Sequence, residues 1–161
     1  MKKEKNNFCE TPLGLHFTNM AKQYLGVIAK KLAHLDIDRY FITVVVIERL
    51  GGSVTQQQLA DLVCKDKVSM VRIIDYLSKK GFVKRKKNKL DRREHFIELT
   101  EKANKSIPDI KSALKGANNS IFKDISEDEI HLFYNVLERM MANLETLPAD
   151  QVDLNYRRLI K

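Results

Sequence analysis

The sequence predicts a mainly α-helical chain with one small β-hairpin set into it, an α+β arrangement dominated by helices. Three observations lead there. Apolar residues recur at helical spacing through most of the 161 residues and switch to a strand-like period only after Gly81. The helical stretches carry capping residues and stop signals at their ends. The charge, finally, is concentrated. Twelve of the 29 Lys/Arg and four of the 21 Asp/Glu lie between Lys65 and Glu94, so this segment carries the whole net charge of +8 and the remaining 17 basic and 17 acidic residues cancel. Such a segment is either a solvated face or the footprint of a polyanion site.

Taken in order, Thr11-Pro12 opens the first helix, with threonine at the N-cap and proline at N1. Leu13, Phe17, Met20, Tyr24, Ile28, Leu32 and Leu35 then share a stripe, so residues 12–35 read as one long amphipathic helix. Residues 38–50, DRYFITVVVIERL, hold six β-branched side chains, which favours strand. Their length and the Gly51-Gly52 stop favour helix, and helix is expected. Thr55 and Gln58 form a capping box over a short helix reaching about Val63, with Leu59, Leu62 and Val63 on its buried side. Cys64-Lys65 leaves a tight turn.

Asp66 is the expected N-cap of the next helix and Gly81 its C′ residue. Met70, Ile73, Ile74 and Leu77 fall within one arc; Val68, Val71, Arg72, Asp75 and Lys79 lie opposite, with Ser69 and Tyr76 at the edge. That outer face is either idle surface or a face for the DNA major groove, where arginine pairs with guanine and apolar side chains touch thymine methyls. A short capped helix, a tight turn and a second helix with a polar face make the helix-turn-helix arrangement. Residues 82–86 and 95–99 read as two strands around the basic loop KNKLDRRE. Placed after the second helix, this hairpin is a wing whose arginines can enter the minor groove.

Thr100 caps a helix over about residues 101–118, lined by Ile107, Ile110, Leu114 and Ala117, with Pro108 kinking it or lying near its first turns. Ser126 and Glu129 make a second capping box, before a stripe of Ile130, Phe133, Leu137, Met140, Met141 and Leu144. The polar end offers Leu154, Tyr156, Leu159 and Ile160 for docking on a partner. These long stripes exceed what one small lobe covers, which points to a subunit interface; a monomeric helical core is the other reading.

Other classes find little support. No run of 18 apolar residues and no secretory h-region is present, so no membrane span is expected and the cytoplasm is the expected compartment. Cys9 and Cys64 are too few and too far apart for a disulfide scaffold. His16, His34, His95 and His131 are scattered without metal-ligand spacing, and no glycine loop suits a phosphate. No cofactor, no metal and no enzymatic activity are expected.

The stretch TQQQLADLVCKDKVSMVRIIDYLSKKGFVKR, followed by LDRREHFIELTEKA, resembles the winged-helix core of the multiple-antibiotic-resistance regulator (MarR) family. The resemblance rests on Leu59-Ala60, Asp66, Arg72, Leu77, Lys79-Lys80-Gly81, Asp91-x-Arg93 and Leu99-Thr100, and spans about residues 37–104. It implies a winged helix-turn-helix domain (37–100) embedded in a discontinuous helical dimerisation domain (1–36 and 101–161). It further implies a homodimeric repressor of transcription on a near-palindromic double-stranded operator, responsive to a small-molecule effector.

Carried over residue by residue, the resemblance puts Lys67, Ser69, Val71 and Arg72 at groove-facing positions. Arg93 becomes the minor-groove arginine of the wing, Asp91 the carboxylate that holds it, and Lys89 and Arg92 phosphate contacts. Val68 and Val71 stand where hydroxyl residues are common, so thymine-methyl contacts replace some hydrogen bonds. Asp75 is expected to pair with Arg72. His16, Phe17, Tyr24, Arg39 and Tyr40, on or just after the first helix, are candidate walls of an effector pocket. Two alternatives stay open. Cys9 with Tyr24 is similar to the arrangement in the peroxide-sensing branch, although the spacing is one residue too long and Gly14 replaces a second tyrosine. A winged helix used for protein contact without DNA specificity is the other.

Overall fold

A computed structural model describes residues 12–63, 66–87 and 95–150. Leu13–Lys31 form α1, which ends four residues before the expected limit at Leu35. Leu32 and Ile37 are both buried, yet five positions apart on a straight helix they would diverge by about 140°. The chain resolves this with a 3-10 turn over Ala33–Leu35 and a left-handed Asp36 at φ +52°. Aspartate is one of the few non-glycine residues that adopts this conformation, so no glycine announces the break. Pro12 occupies the N-cap rather than N1, and Thr11 lies outside the described residues.

A second 3-10 turn, Asp38–Tyr40, leads into α2 (Phe41–Arg49), where Phe41, Val44 and Ile47 are buried at helical spacing despite the β-branched composition. Gly51 at φ +82° ends it: its N–H donates to the Glu48 carbonyl at 3.0 Å and the Gly52 N–H to the Ile47 carbonyl at 2.9 Å. The expected two-stranded hairpin is a three-stranded antiparallel sheet. β1 (Ser53–Thr55), β2 (Val83–Lys87) and β3 (His95–Leu99) run in the order β1-β3-β2, with Val54 opposite Ile97 and Arg85 opposite Ile97 on the other side. With three residues and one of them buried, β1 has too short a period to read; only its pairing with β3 makes it a strand.

α3 (Gln56–Leu62) has the expected capping box: Thr55 Oγ1 accepts the Gln58 N–H at 3.2 Å and the Thr55 N–H donates to Gln58 Oε1 at 3.1 Å. α4 (Lys67–Lys79) starts at Asp66 and ends in a left-handed Gly81, with the Gly81 N–H on the Ser78 carbonyl and the Phe82 N–H on the Leu77 carbonyl, both 2.9 Å. Thr100 caps α5 (Glu101–Ile121), accepting the Ala103 N–H at 3.2 Å and donating its hydroxyl to the Gly81 carbonyl at 2.6 Å. α5 continues through Pro108 and past Asn118. It packs on α1, α2 and β3 and buries Ala103, Ile107, Ile110, Ala113 and Ala117, which makes it the spine of the chain.

α6 (Glu127–Glu145) is different. Its capping box forms as expected, with Ser126 Oγ accepting the Glu129 N–H at 3.3 Å and the Ser126 N–H donating to Glu129 Oε2 at 2.9 Å. None of its residues is buried. Phe133 and Leu144 are 40% and 61% exposed while Ile130, Leu137 and Met140 are half-buried, so the described residues leave much of its apolar stripe uncovered.

Candidate nucleic-acid interface

The outer face of α4 is built from its cap inward. Asp66 Oδ1 accepts the Val68 N–H at 2.8 Å and the Ser69 N–H at 2.9 Å, while Met70, Ile74 and Leu77 bury the opposite side. Hydrogen bonds from the Ser69 hydroxyl and backbone hold the Asp66 carboxyl below the usual carboxylate range. A folded-state pKa depressed in this way adds stability above the unfolded value of about 3.9, and that contribution is lost as pH falls from there through the folded value. Asparagine keeps an oxygen for the cap and has no proton to take up. Stabilities of wild type and Asp66→Asn are therefore expected to converge as pH drops below about 4. Urea midpoints that stay equally far apart from neutral to acid pH would remove the assignment.

Lys67, Val68, Val71 and Arg72 project to solvent from α4, with Val68 61% and Val71 36% exposed. Ser69 is half-buried, and its hydroxyl and N–H serve Asp66, so the cap engages part of its hydrogen-bonding capacity. Asp75 does not take the partner expected of it. Its Oδ1 pairs with Arg85 Nη2 of β2 at 2.6 Å, because Arg85 shares the face of Val83, the side of the sheet against which α4 packs. Lys84 and Lys86, on the other face, both meet Glu98 of β3, at 3.3 and 2.9 Å. Those two lysines hold the Glu98 carboxyl below its ordinary range, Lys86 more strongly. Three of the four basic residues of β2 thus have carboxylate partners within the lobe. Composition alone overstates the charge open to a polyanion, although exposed pairs are weak enough for phosphate to compete.

Lys89, Asp91, Arg92 and Arg93 lie outside the described residues, in the segment joining β2 to β3 in sequence; Cys9 is outside them as well. Of the five candidate pocket residues, Tyr24 lines a cavity among the described residues, of about 220 Å³ between α1 and α5, with Met20, Val27, Ala117 and Ile121 among its other walls. Its hydroxyl donates to Asn118 Oδ1 at 2.7 Å, and burial raises its pKa. His16 and Phe17 sit further toward the start of α1, and neither lines that cavity. Arg39 and Tyr40 belong to the α1–α2 connector, the guanidinium 5.4 Å from the Tyr40 ring and that ring 5.0 Å from Tyr76.

Sequence reasoning passed over Arg85, Glu98 and Asp36. The first two carry a signal in strand parity, which puts Arg85 on the core face and Glu98 opposite Lys84. Asp36 carries none. Among the described residues, no group of three or more His, Cys, Asp or Glu is arranged to hold a metal ion, and no helix is long and apolar enough to cross a membrane.

Comparison with known proteins adds three likenesses and a family match. The sequence model of the MarR family matches residues 43–95, from α2 to the start of β3. The chain is similar to the crystal structure of transcriptional regulator PA3341, with 30% identity, TM-score 0.73 and coverage of 84% of this chain and 100% of that one. It is also similar to a MarR transcriptional regulator from Methanosarcina mazei Go1, at 28% identity and TM-score 0.70 over 82% of this chain and 99% of that one. A putative MarR family regulator from Listeria monocytogenes, solved in complex with a 26mer DNA, shares the fold at 23% identity and TM-score 0.75, over 83% of this chain and 89% of that one.

Proposed function

This chain belongs to the MarR family of transcriptional regulators, and from that membership we propose that it binds near-palindromic operator DNA as a homodimer and acts there, in the cytoplasm, as a repressor. In this reading residues 37–100 form the DNA-reading lobe and the flanking helices form the dimer. The observation that carries it is the outer face of α4, where Lys67, Val68, Val71 and Arg72 stand in solvent beside the basic strand β2. Arg72 reads guanine from the major groove, the two valines meet thymine methyls, and Lys67 meets phosphate. Lys89, Arg92 and Arg93, with Asp91 in support, extend the contact into the neighbouring minor groove. The exposed Phe133 and Leu144 of α6 support the dimer, since a second copy is the simplest cover for them. A small-molecule effector acts by changing the separation of the two lobes, because only one separation, about 34–36 Å, suits successive major grooves.

Selection of bound sequences from genomic DNA by the purified protein supplies the operator and tests the reading. Affinity for that operator is expected to fall steeply and log-linearly as salt rises, by about 0.9 in the logarithmic slope for each phosphate neutralised. A protein-contact module would show no such slope. Val71→Thr is expected to lower the preference for operator over scrambled duplex by about fourfold, the worth of one buried methyl-sized contact of about 0.8 kcal/mol. An unchanged preference would exclude the thymine-methyl assignment.

A further inference from the structure

We propose that Asp36, Tyr76 and Lys80 form a latch that fixes the angle between α1 and α4, and so positions the recognition helix for its groove; the proposal rests on the DNA reading above. The connector between α1 and α2 is irregular, with Asp36 at φ +52° and Asp38 at φ +50°. Left-handed non-glycine residues this close together persist only where their surroundings hold them. For Asp36 the holding groups come from the far end of α4. The Tyr76 hydroxyl donates to the Asp36 carbonyl at 3.2 Å, and the Lys80 ammonium pairs with the Asp36 carboxylate. The Tyr76 ring rests 5.0 Å from the ring of Tyr40, at the other end of the same connector. Lys80 lies 5.7 Å from the Tyr76 ring, which ties the two α4 residues to each other.

The last turn of α4 therefore grips the connector at both ends, across 40 and 44 residues of sequence in the two Asp36 contacts. Lys102 of α5 closes the arrangement by donating to the Lys80 carbonyl at 2.8 Å. These contacts add little to the burial of α4, whose apolar face is already covered through Met70, Ile73, Ile74 and Leu77. Their consequence is orientation. α1 belongs to the body that joins two copies, α4 to the part that reads DNA, and a lobe free to swing on the connector would present α4 at many separations. A latched lobe presents it at one.

The test uses the full chain carrying Asp36→Asn and Tyr76→Phe together. Asparagine tolerates the left-handed conformation and phenylalanine keeps the ring against Tyr40, so the variant loses the ion pair and the hydroxyl bond but little else. Binding is measured by fluorescence anisotropy on duplexes holding the selected half-sites with the spacer shortened or lengthened one base pair at a time, and melting is followed in parallel. Wild type is expected to prefer one spacing by about tenfold or more, whereas the variant loses about tenfold at that spacing and spreads its affinity over the neighbouring ones. A spacing profile identical to wild type overturns the latch. So does a loss by the same factor at every spacing, which is what lowered stability alone would cause. Wild-type protein that binds no duplex selectively would instead overturn the DNA reading, and the latch with it.

Discussion

If the proposed homodimer forms through α6, Phe133→Arg combined with Leu144→Arg is expected to yield monomers and to lower the affinity for a two-half-site operator by about 10²–10⁴-fold. The two residues lie eleven positions apart on α6, hence within about 20° of one another on its surface, and both are exposed in the isolated chain. Two arginines there meet two arginines of the second copy across a twofold interface, so charge repulsion adds to the lost apolar burial. Each separated lobe still carries Arg72 and its neighbours, and its half-site contacts should survive at the low affinity of a single head. What disappears is the gain from tethering, which makes the second half-site encounter intramolecular. Light scattering after size exclusion reports the mass, and titration of a full operator against a half-operator reports the affinity. A variant that remains dimeric, or that distinguishes full from half operator as well as wild type does, would contradict the proposed role of α6.

Phe82→Ala is expected to destabilise the lobe by about 3–5 kcal/mol, the usual range for deleting a buried aromatic side chain. Phe82 is fully buried at the junction of three elements. Its N–H closes α4 on the Leu77 carbonyl, its own carbonyl accepts the Thr100 N–H at 3.0 Å, and Lys102 lies 4.5 Å from its ring. Truncation leaves a cavity between α4, the sheet and the start of α5, where backbone hydrogen bonds limit collapse. Urea unfolding of wild type and variant measures the loss, with protein concentration fixed because the proposed self-association would shift apparent stability. A difference below about 1 kcal/mol would mean that the junction repacks around the smaller side chain.

The α4 lobe was legible in the sequence at its caps, its stops and the inward arc of α4, although Leu62, expected on the buried side of α3, is 56% exposed. Thr55, Asp66, Thr100 and Ser126 act as caps, Gly51 and Gly81 as left-handed stops, and the inward arc of α4 is the arc that spacing alone assigns. These features depend on hydrogen bonds and apolar periods within a few residues, which a linear reading contains. The misreadings share the opposite property. The end of α1 at Lys31, the strand Ser53–Thr55 and the partner of Asp75 each depend on packing with another element: burial of Ile37 in the common core, pairing with Ile97 of β3, and Arg85 of β2.

The candidate interface divides in the same way. Amino-acid order alone dictated which residues α4 turns outward, where the positive charge collects, and that three long helical stripes need cover, because composition and period specify them. Folding then assigned much of the β2 charge to Glu98 and Asp75, bonded Tyr24 to Asn118 of α5, and tied Asp36 to the end of α4. The physical reason is that an ion pair or a cavity wall exists only where chain segments distant in sequence arrive within a few ångströms, and that arrival is a property of packing, for which no local pattern stands proxy.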